Sequence, residues 1–262
     1  MSEGNIMGYH IRECDIRGPD RTIPIRLHLP EHQRPMSDRV LLLSFAGDRE
    51  TSLTVAPYRL ASEVFLEEGH NVLSIDLPNH GSQINDDGEG IPGMRNAFIG
   101  GRSPFEGFVG HAGAAIDYCV AEGIAEPGRI TACGTSRGGY MALRLLAQDE
   151  RIVAGTGFSP VTDWRYLSEF DSDSGRPNVA ALALSNYTRI LAEKAVFLAI
   201  GSNDKRVNSS SCLGLSVALH EARRKAGHSS DGLEFHCTED TGHSCGDSWY
   251  RKGAQFLLGQ IT

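Results

Sequence analysis

The amino-acid sequence predicts an α/β fold: a three-layer α/β/α sandwich on a mostly parallel, doubly wound sheet. Three observations predict it. Short apolar runs alternate repeatedly with helical patterns after residue 40, and such alternation implies right-handed crossovers and a parallel sheet with helices on both faces. Two runs, Val40-Leu41-Leu42-Leu43-Ser44-Phe45 and Ala195-Val196-Phe197-Leu198-Ala199-Ile200, are apolar nearly throughout rather than alternating, as expected of central strands covered on both sides. No repeat, linker or shift in composition interrupts the pattern, so residues 1–262 read as one domain without a large cap.

The elements follow in order. Ile6-Met7-Gly8-Tyr9-His10-Ile11 reads as a strand leading to a turn at Gly18-Pro19-Asp20, and Thr22–Leu29 alternates like a half-exposed strand. The apolar run ending at Phe45 gives way to Ala46-Gly47-Asp48. A helix is expected from about Thr54 to Glu68, with Pro57 near its start and Gly69 stopping it. The strand Val72–Ile75 ends in Asp76-Leu77-Pro78-Asn79-His80-Gly81. Residues 81–110 are Gly-rich, lack firm periodicity and read as a long functional loop. A helix follows from Val109 to Ala121, then a strand ending near Cys133. The remaining pattern is a helix after Gly138, a strand Ile152–Phe158, a helix at Val179–Ala192 and a strand Ala195–Ile200. A helix Ser211–Ala226, a strand Leu233–Cys237 and a helix Asp247–Leu258 complete it.

Composition narrows the function. A formal net charge of −8 argues against nucleic acid, which rewards a basic face, and against anionic membrane surfaces. No apolar run approaches the ~18–20 residues of a membrane-spanning helix. The N-terminus has an early acid and no apolar core of a signal peptide. Six cysteines occur without a C-x-x-C pair, so zinc and iron–sulfur ligation are not expected. Cys119, Cys133 and Cys237 lie in apolar stretches and read as buried free thiols. Together these place the protein in the cytoplasm.

The chemistry centres on Gly134-Thr135-Ser136-Arg137-Gly138. A serine between glycines, after a strand and before a helix, is the arrangement that exposes a nucleophile at a sharp turn above a helix N-terminus. In an open parallel sheet the site lies beyond the carboxyl ends of the strands. Those ends carry Ala46-Gly47-Asp48, Asp76 to Gly81, Ser136, Asp163, Asp204 and His243. A serine hydroxyl needs a base within reach, histidine can take and return the proton near neutrality, and a buried carboxylate holds the imidazole tautomer. Ser136, Asp204 and His243 follow one another in the Ser, acid, His order of this architecture. Asp163 is a rival acid that could instead cap a helix at Trp164, and His236 reads as a strand histidine. His80 reads as structural, ordering the turn after Asp76. Asp171 and Asp173 lack the remaining spacing of a calcium loop. Cys245, two residues from His243, reads as a passive thiol. The oxyanion donors are expected to be the backbone N–H groups of Arg137 and Asp48, with Gly47 permitting close approach. Met94, Phe98, Phe105 and Trp164 are candidates to line a substrate pocket.

Four stretches resemble the α/β-hydrolase superfamily over nearly the whole chain: Asp76-Leu77-Pro78-Asn79-His80-Gly81-Ser82, Gly134 to Gly139, Gly201-Ser202-Asn203-Asp204 and Gly242-His243. Ser136-Arg137-Gly138-Gly139 and Ser159-Pro160-Val161-Thr162-Asp163-Trp164 are similar to its prolyl-oligopeptidase-like and dienelactone-hydrolase-like branches. That resemblance implies a serine esterase that needs no cofactor or metal and acts on a small-molecule ester. Two features depart from the pattern. Ala46-Gly47 stands where relatives carry His-Gly, and there is no N-terminal propeller of the kind that gates oligopeptidases. The alternatives are a small peptidase or amidase and a non-catalytic receptor of the same fold.

Overall fold

The computed structural model describes residues 2–6 and 8–261, of which residues 2–6 as backbone. Among the described residues nine strands lie in one sheet: β1 (Ser2–Ile6), β2 (Tyr9–Arg17), β3 (Thr22–Pro30), β4 (Leu41–Phe45), β5 (Asn71–Ile75), β6 (Ile130–Thr135), β7 (Ile152–Phe158), β8 (Ala195–Gly201) and β9 (Leu233–Thr238). Their order across the sheet is β1-β2-β3-β5-β4-β6-β7-β8-β9. The first three strands and β5 pair antiparallel, and every pair from β5 to β9 is parallel. The helices are α1 (Arg49–Thr54), α2 (Leu60–Glu67), α3 (Gly90–Ile99), α4 (Pro104–Ala121), α5 (Arg137–Gln148), α6 (Pro177–Ala180), α7 (Thr188–Leu191), α8 (Ser209–Ala226) and α9 (Asp247–Gly259).

The apolar runs are buried on both faces, and their alternation shows which face each residue serves. Leu41, Leu43 and Phe45 of β4 join the core under α4, α5 and α8, whereas Val40 and Leu42 join the core under α2 and α9. In β8, Val196, Leu198 and Ile200 face the first layer, and Phe197 and Ala199 face the second. Period-2 side-chain direction thus persists where hydropathy no longer alternates. The chain runs outward from β4 to β5, then crosses to β6 on the opposite side of β4. That reversal opens a crevice at the carboxyl ends of β4 and β6, where ligands of open α/β sheets bind.

Several elements differ from the sequence reading. Of the strand expected at Ile6–Ile11, Met7 lies outside the described residues, Ile6 ends β1 and Tyr9 begins β2. Gly8, at φ +82°, reverses the chain between them, a conformation open to glycine. The helix expected at Thr54–Glu68 is two helices, with Val55 extended between them. Pro57 lacks an N–H and disfavours helical backbone before it, so it breaks the pattern rather than opening it. The 81–110 stretch contains α3, and α4 begins at Pro104 rather than Val109. The helix expected at Val179–Ala192 is a series of short turns. Cys237 is exposed because β9 is an edge strand. No helix among the described residues is long and apolar enough to cross a membrane.

Two histidines are built into this core as neutral groups. His70 Nδ1 accepts from the Val40 N–H at 3.1 Å, and His28 Nε2 accepts from Arg26 Nε at 3.3 Å. Burial, reinforced by the Arg26 charge for His28 and the Arg34 charge for His70, pushes each pKa down to about 4. Between that value and about 6.5 the unfolded chain binds more protons than the folded one. Stability should therefore fall as pH drops through that window, by up to about 3 kcal/mol per histidine. Urea unfolding at pH 7 and pH 4.5 tests this. The difference should shrink in a His28→Gln, His70→Gln double variant, and an undiminished difference would assign it to other groups.

Candidate active site

Ser136 occupies the turn between β6 and α5 with φ +56° and ψ −120°, a strained conformation for a side-chain-bearing residue. Three backbone bonds hold it there. Its N–H donates to Phe158 O at 2.9 Å, and its carbonyl accepts from Val161 N at 3.0 Å and Tyr140 N at 3.2 Å. The flanking glycines leave no room for side chains. A Cβ on Gly134 would stand 2.3 Å from the Gly138 carbonyl, and one on Gly138 would stand 2.1 Å from Phe45 O. The helix α5 starts at the next residue, directing its N-terminal dipole toward the serine.

The expected acid and base meet. His243 Nδ1–H donates to Asp204 Oδ2 at 2.8 Å, with the Asp204 side chain fully buried and that of His243 one-third exposed. The other Asp204 oxygen accepts from the N–H groups of Arg206 at 2.9 Å and Val207 at 3.2 Å. With its proton committed at Nδ1, a neutral His243 carries a free lone pair on Nε2. Among the described residues no hydrogen bond joins the Ser136 hydroxyl to it, and catalytic hydrogen bonds often form only when substrate binds. Asp163 is engaged by its own turn instead. It caps the turn at Trp164 through Arg165 N and is held by the Arg165 guanidinium at 2.5 and 3.0 Å. His236 pairs with Glu234 at 2.9 Å on the edge strand, away from these groups. Asp173 is bound by Arg95 and Arg176. No group of three or more His, Cys, Asp or Glu able to hold a metal occurs among the described residues.

The loop after β4 is tied down from two sides. Asp48 caps α1, accepting from Thr51 N at 2.8 Å and Thr51 Oγ1 at 2.7 Å. Ser52 Oγ accepts from the Ala46 N–H at 2.9 Å and lies 3.5 Å from that of Gly47. Asp76, at the end of β5, binds Arg49 N at 2.8 Å, Arg49 Nη1 at 2.7 Å, Ser82 N at 2.8 Å and Ser82 Oγ at 2.6 Å. His80 does more than order its turn. Its Nδ1–H donates to Pro78 O at 2.8 Å, and its Nε2 accepts from Arg137 Nε at 2.8 Å. Burial and then the Arg137 charge hold its pKa below the ordinary value.

The pocket expectation needs correction. Met94 and Trp164 have no exposed surface and Phe105 almost none, while half-buried Phe98 packs on the same core. Phe105 meets Phe98, Tyr140 and Trp164 edge to face, with ring centres 4.9–5.7 Å apart. These aromatics fasten α3 and the segment after β7 onto α5, burying area rather than presenting it. Among the described residues, the exposed large apolar side chains include Val55, Ile84 and Tyr166. Single exposed residues carry no sequence signal, so reading the chain alone could not find them. Cys245 is buried, and burial pushes its thiol up to about 12, the state of an unreactive thiol.

The sheet order and its helix layers define the class: the chain has the α/β-hydrolase fold. Within that class the chain belongs to the prolyl oligopeptidase family, whose sequence profile matches residues 111–260. No curated protein sequence matches it significantly. Among solved structures it is similar to a cold-adapted esterase from an Arctic intertidal metagenomic library, at 18% identity and a TM-score of 0.70, covering 99% of this chain and 97% of that one. An acetyl xylan esterase from Paenibacillus sp. R4 has 16% identity and a TM-score of 0.73, covering 100% and 87%. A putative dipeptidyl aminopeptidase IV from Bacteroides ovatus has 15% identity and a TM-score of 0.75, covering 97% of this chain but 36% of that one.

The loop bearing His243 depends on one glycine. A Cβ on Gly201 would stand 2.7 Å from each of the carbonyls of Asp240, Gly242 and Ser244. Gly201→Ala should push this loop outward and break the His243–Asp204 bond, at a stability cost of about 1–3 kcal/mol. The readout is the downfield imidazole N–H resonance in proton NMR, which should disappear. Its persistence would show that the loop accommodates the methyl group.

Proposed function

We propose that the chain is a single-domain serine hydrolase that cleaves carboxylic esters of small molecules through an acyl-enzyme intermediate. The observation that carries this reading is the 2.8 Å bond between His243 Nδ1 and Asp204 Oδ2 at the sheet end that presents Ser136. His243 Nε2 takes the proton as Ser136 Oγ attacks the ester carbonyl carbon. The tetrahedral oxyanion rests on the N–H groups of Arg137 and Asp48, each donor worth roughly 2.7–4 kcal/mol of transition-state stabilisation. The bond to the alcohol breaks as Nε2–H protonates it. Water then attacks the acyl carbon, gives a proton to Nε2, and the acid leaves as Ser136 Oγ recovers it. Ester and water balance the cycle, so it needs no cofactor or metal. Val55, Ile84 and Tyr166 are our candidates for apolar contacts to the substrate.

The esterases of matching length among the structural neighbours support this substrate class. A peptidase reading draws on the family name and on the aminopeptidase neighbour. We place the protein in the cytoplasm, because all six cysteines are free thiols.

A fluorophosphonate should label wild type at Ser136, and wild type that fails to label would sink the nucleophile assignment. Ser136→Ala and Asp204→Asn should each lower kcat by about 10⁴-fold or more, whereas Asp163→Asn should retain labelling. Ester turnover should exceed aminoacyl-anilide turnover, and the reverse order would favour the peptidase.

A further inference from the structure

We infer that the Arg137 guanidinium is a specificity determinant that receives a carboxylate carried by the ester substrate, an assignment that deepens the esterase reading and rests on it. Arg137 is the residue after Ser136, and its side chain lies back over the loop after β4, with Nη2 3.2 Å from where a Cβ of Gly47 would stand. Its Nε–H is spent on His80 Nε2 at 2.8 Å, and His80 is itself fixed as the Nδ1–H tautomer by Pro78 O. The anchor is therefore neutral, and it leaves the forked Nη end of the guanidinium without a protein partner among the described residues.

The neighbouring arginines differ. Arg49 pairs with Asp76 at 2.7 Å, Arg165 with Asp163 at 2.5 Å and Arg206 with Glu169 at 2.5 Å. The two carboxylates whose charge reaches Arg137 are already engaged, Asp48 by Thr51 and Glu169 by Arg206. Burial holds the Arg137 pKa below its ordinary value, the mark of a desolvated charge without a bonded counter-ion. A planar fork of this kind matches a carboxylate with two parallel hydrogen bonds. Because Arg137 adjoins the nucleophile, the substrate's carboxylate must lie a few bonds from the scissile carbonyl. The chemical class is the half-ester of a short dicarboxylic acid.

The test compares kcat/KM for monoethyl glutarate and ethyl hexanoate, near-isosteric esters differing in the terminal charge. Wild type should favour the half-ester by ~10–100-fold, and Arg137→Gln should abolish that ratio chiefly through KM, with Arg137→Lys between them. Melting temperatures of the variants monitor folding. A wild-type ratio at or below one, or an unchanged ratio in Arg137→Gln, overturns the assignment while leaving the esterase reading intact. If neither ester is hydrolysed, that reading fails instead, and calorimetry with glutarate decides for Arg137. Binding lost in Arg137→Gln supports the site, and absent or equal binding overturns it.

Discussion

At the turn between β6 and α5, the backbone of residue 138 approaches the Phe45 carbonyl so closely that an added Cβ would stand 2.1 Å from it. This contact joins the central strand β4 to the start of α5, and the rest of the site is built outward from it. Because α5 sits this close, Ser136 must cross positive φ to leave the strand, and its N–H and carbonyl are captured by residues 158, 140 and 161. The strain is of the order of 1–3 kcal/mol and persists because those bonds over-determine the turn. A looser turn would relax the serine toward an ordinary rotation and take its hydroxyl away from the helix N-terminus.

Around that turn, the sheet's carboxyl edge is stabilised by carboxylates, each used differently. Asp76 is saturated by four bonds and Asp163 by its own helix turn and Arg165. Asp48 is spent as a cap. Asp204 divides its oxygens, giving one to two backbone N–H groups and the other to His243. A carboxylate fixed by backbone on one side and free on the other is the form that can orient an imidazole. The neighbouring Arg206 is kept off this carboxylate by its bidentate pairing with Glu169. Were Arg206 to turn inward, it would compete with His243 for the same oxygen.

Most of this was legible in the sequence. The all-apolar runs at β4 and β8 announced a buried parallel sheet, and the chemistry-bearing residues fell at strand ends because the crevice rule puts them there. The separation of Asp204 from Asp163 was legible in part, since the Asp-Trp-Arg turn already offered Asp163 a capping role. What stayed hidden depended on three-dimensional packing. Aromatic residues near a site look alike whether they line a cavity or close a core, and Phe105 and Trp164 proved to be core. Pro57 reads as opening a helix, but the two helices stop and start on either side of it, as its missing N–H and the restricted residue before it require. The thiol of Cys237 reads as buried from its neighbours, but the position of β9 at the sheet edge is a property of topology.

At Gly47, beside the departure at Ala46, the same packing leaves little room for a side chain. A side chain at position 47 would crowd the Arg137 guanidinium, whose Nη2 stands 3.2 Å from a Gly47 Cβ position, and its partner His80, whose Cδ2 stands 3.5 Å from it. The imidazole that the resemblance implies after the central strand is absent from this loop, and another one, His80, reaches the same neighbourhood from the end of β5. The exchange alters the local field. A guanidinium remains charged at any physiological pH, whereas His80, buried and beside that charge, stays neutral. The surroundings of Ser136 thus gain a permanent positive charge. It is this charge that the proposed carboxylate of the substrate would meet.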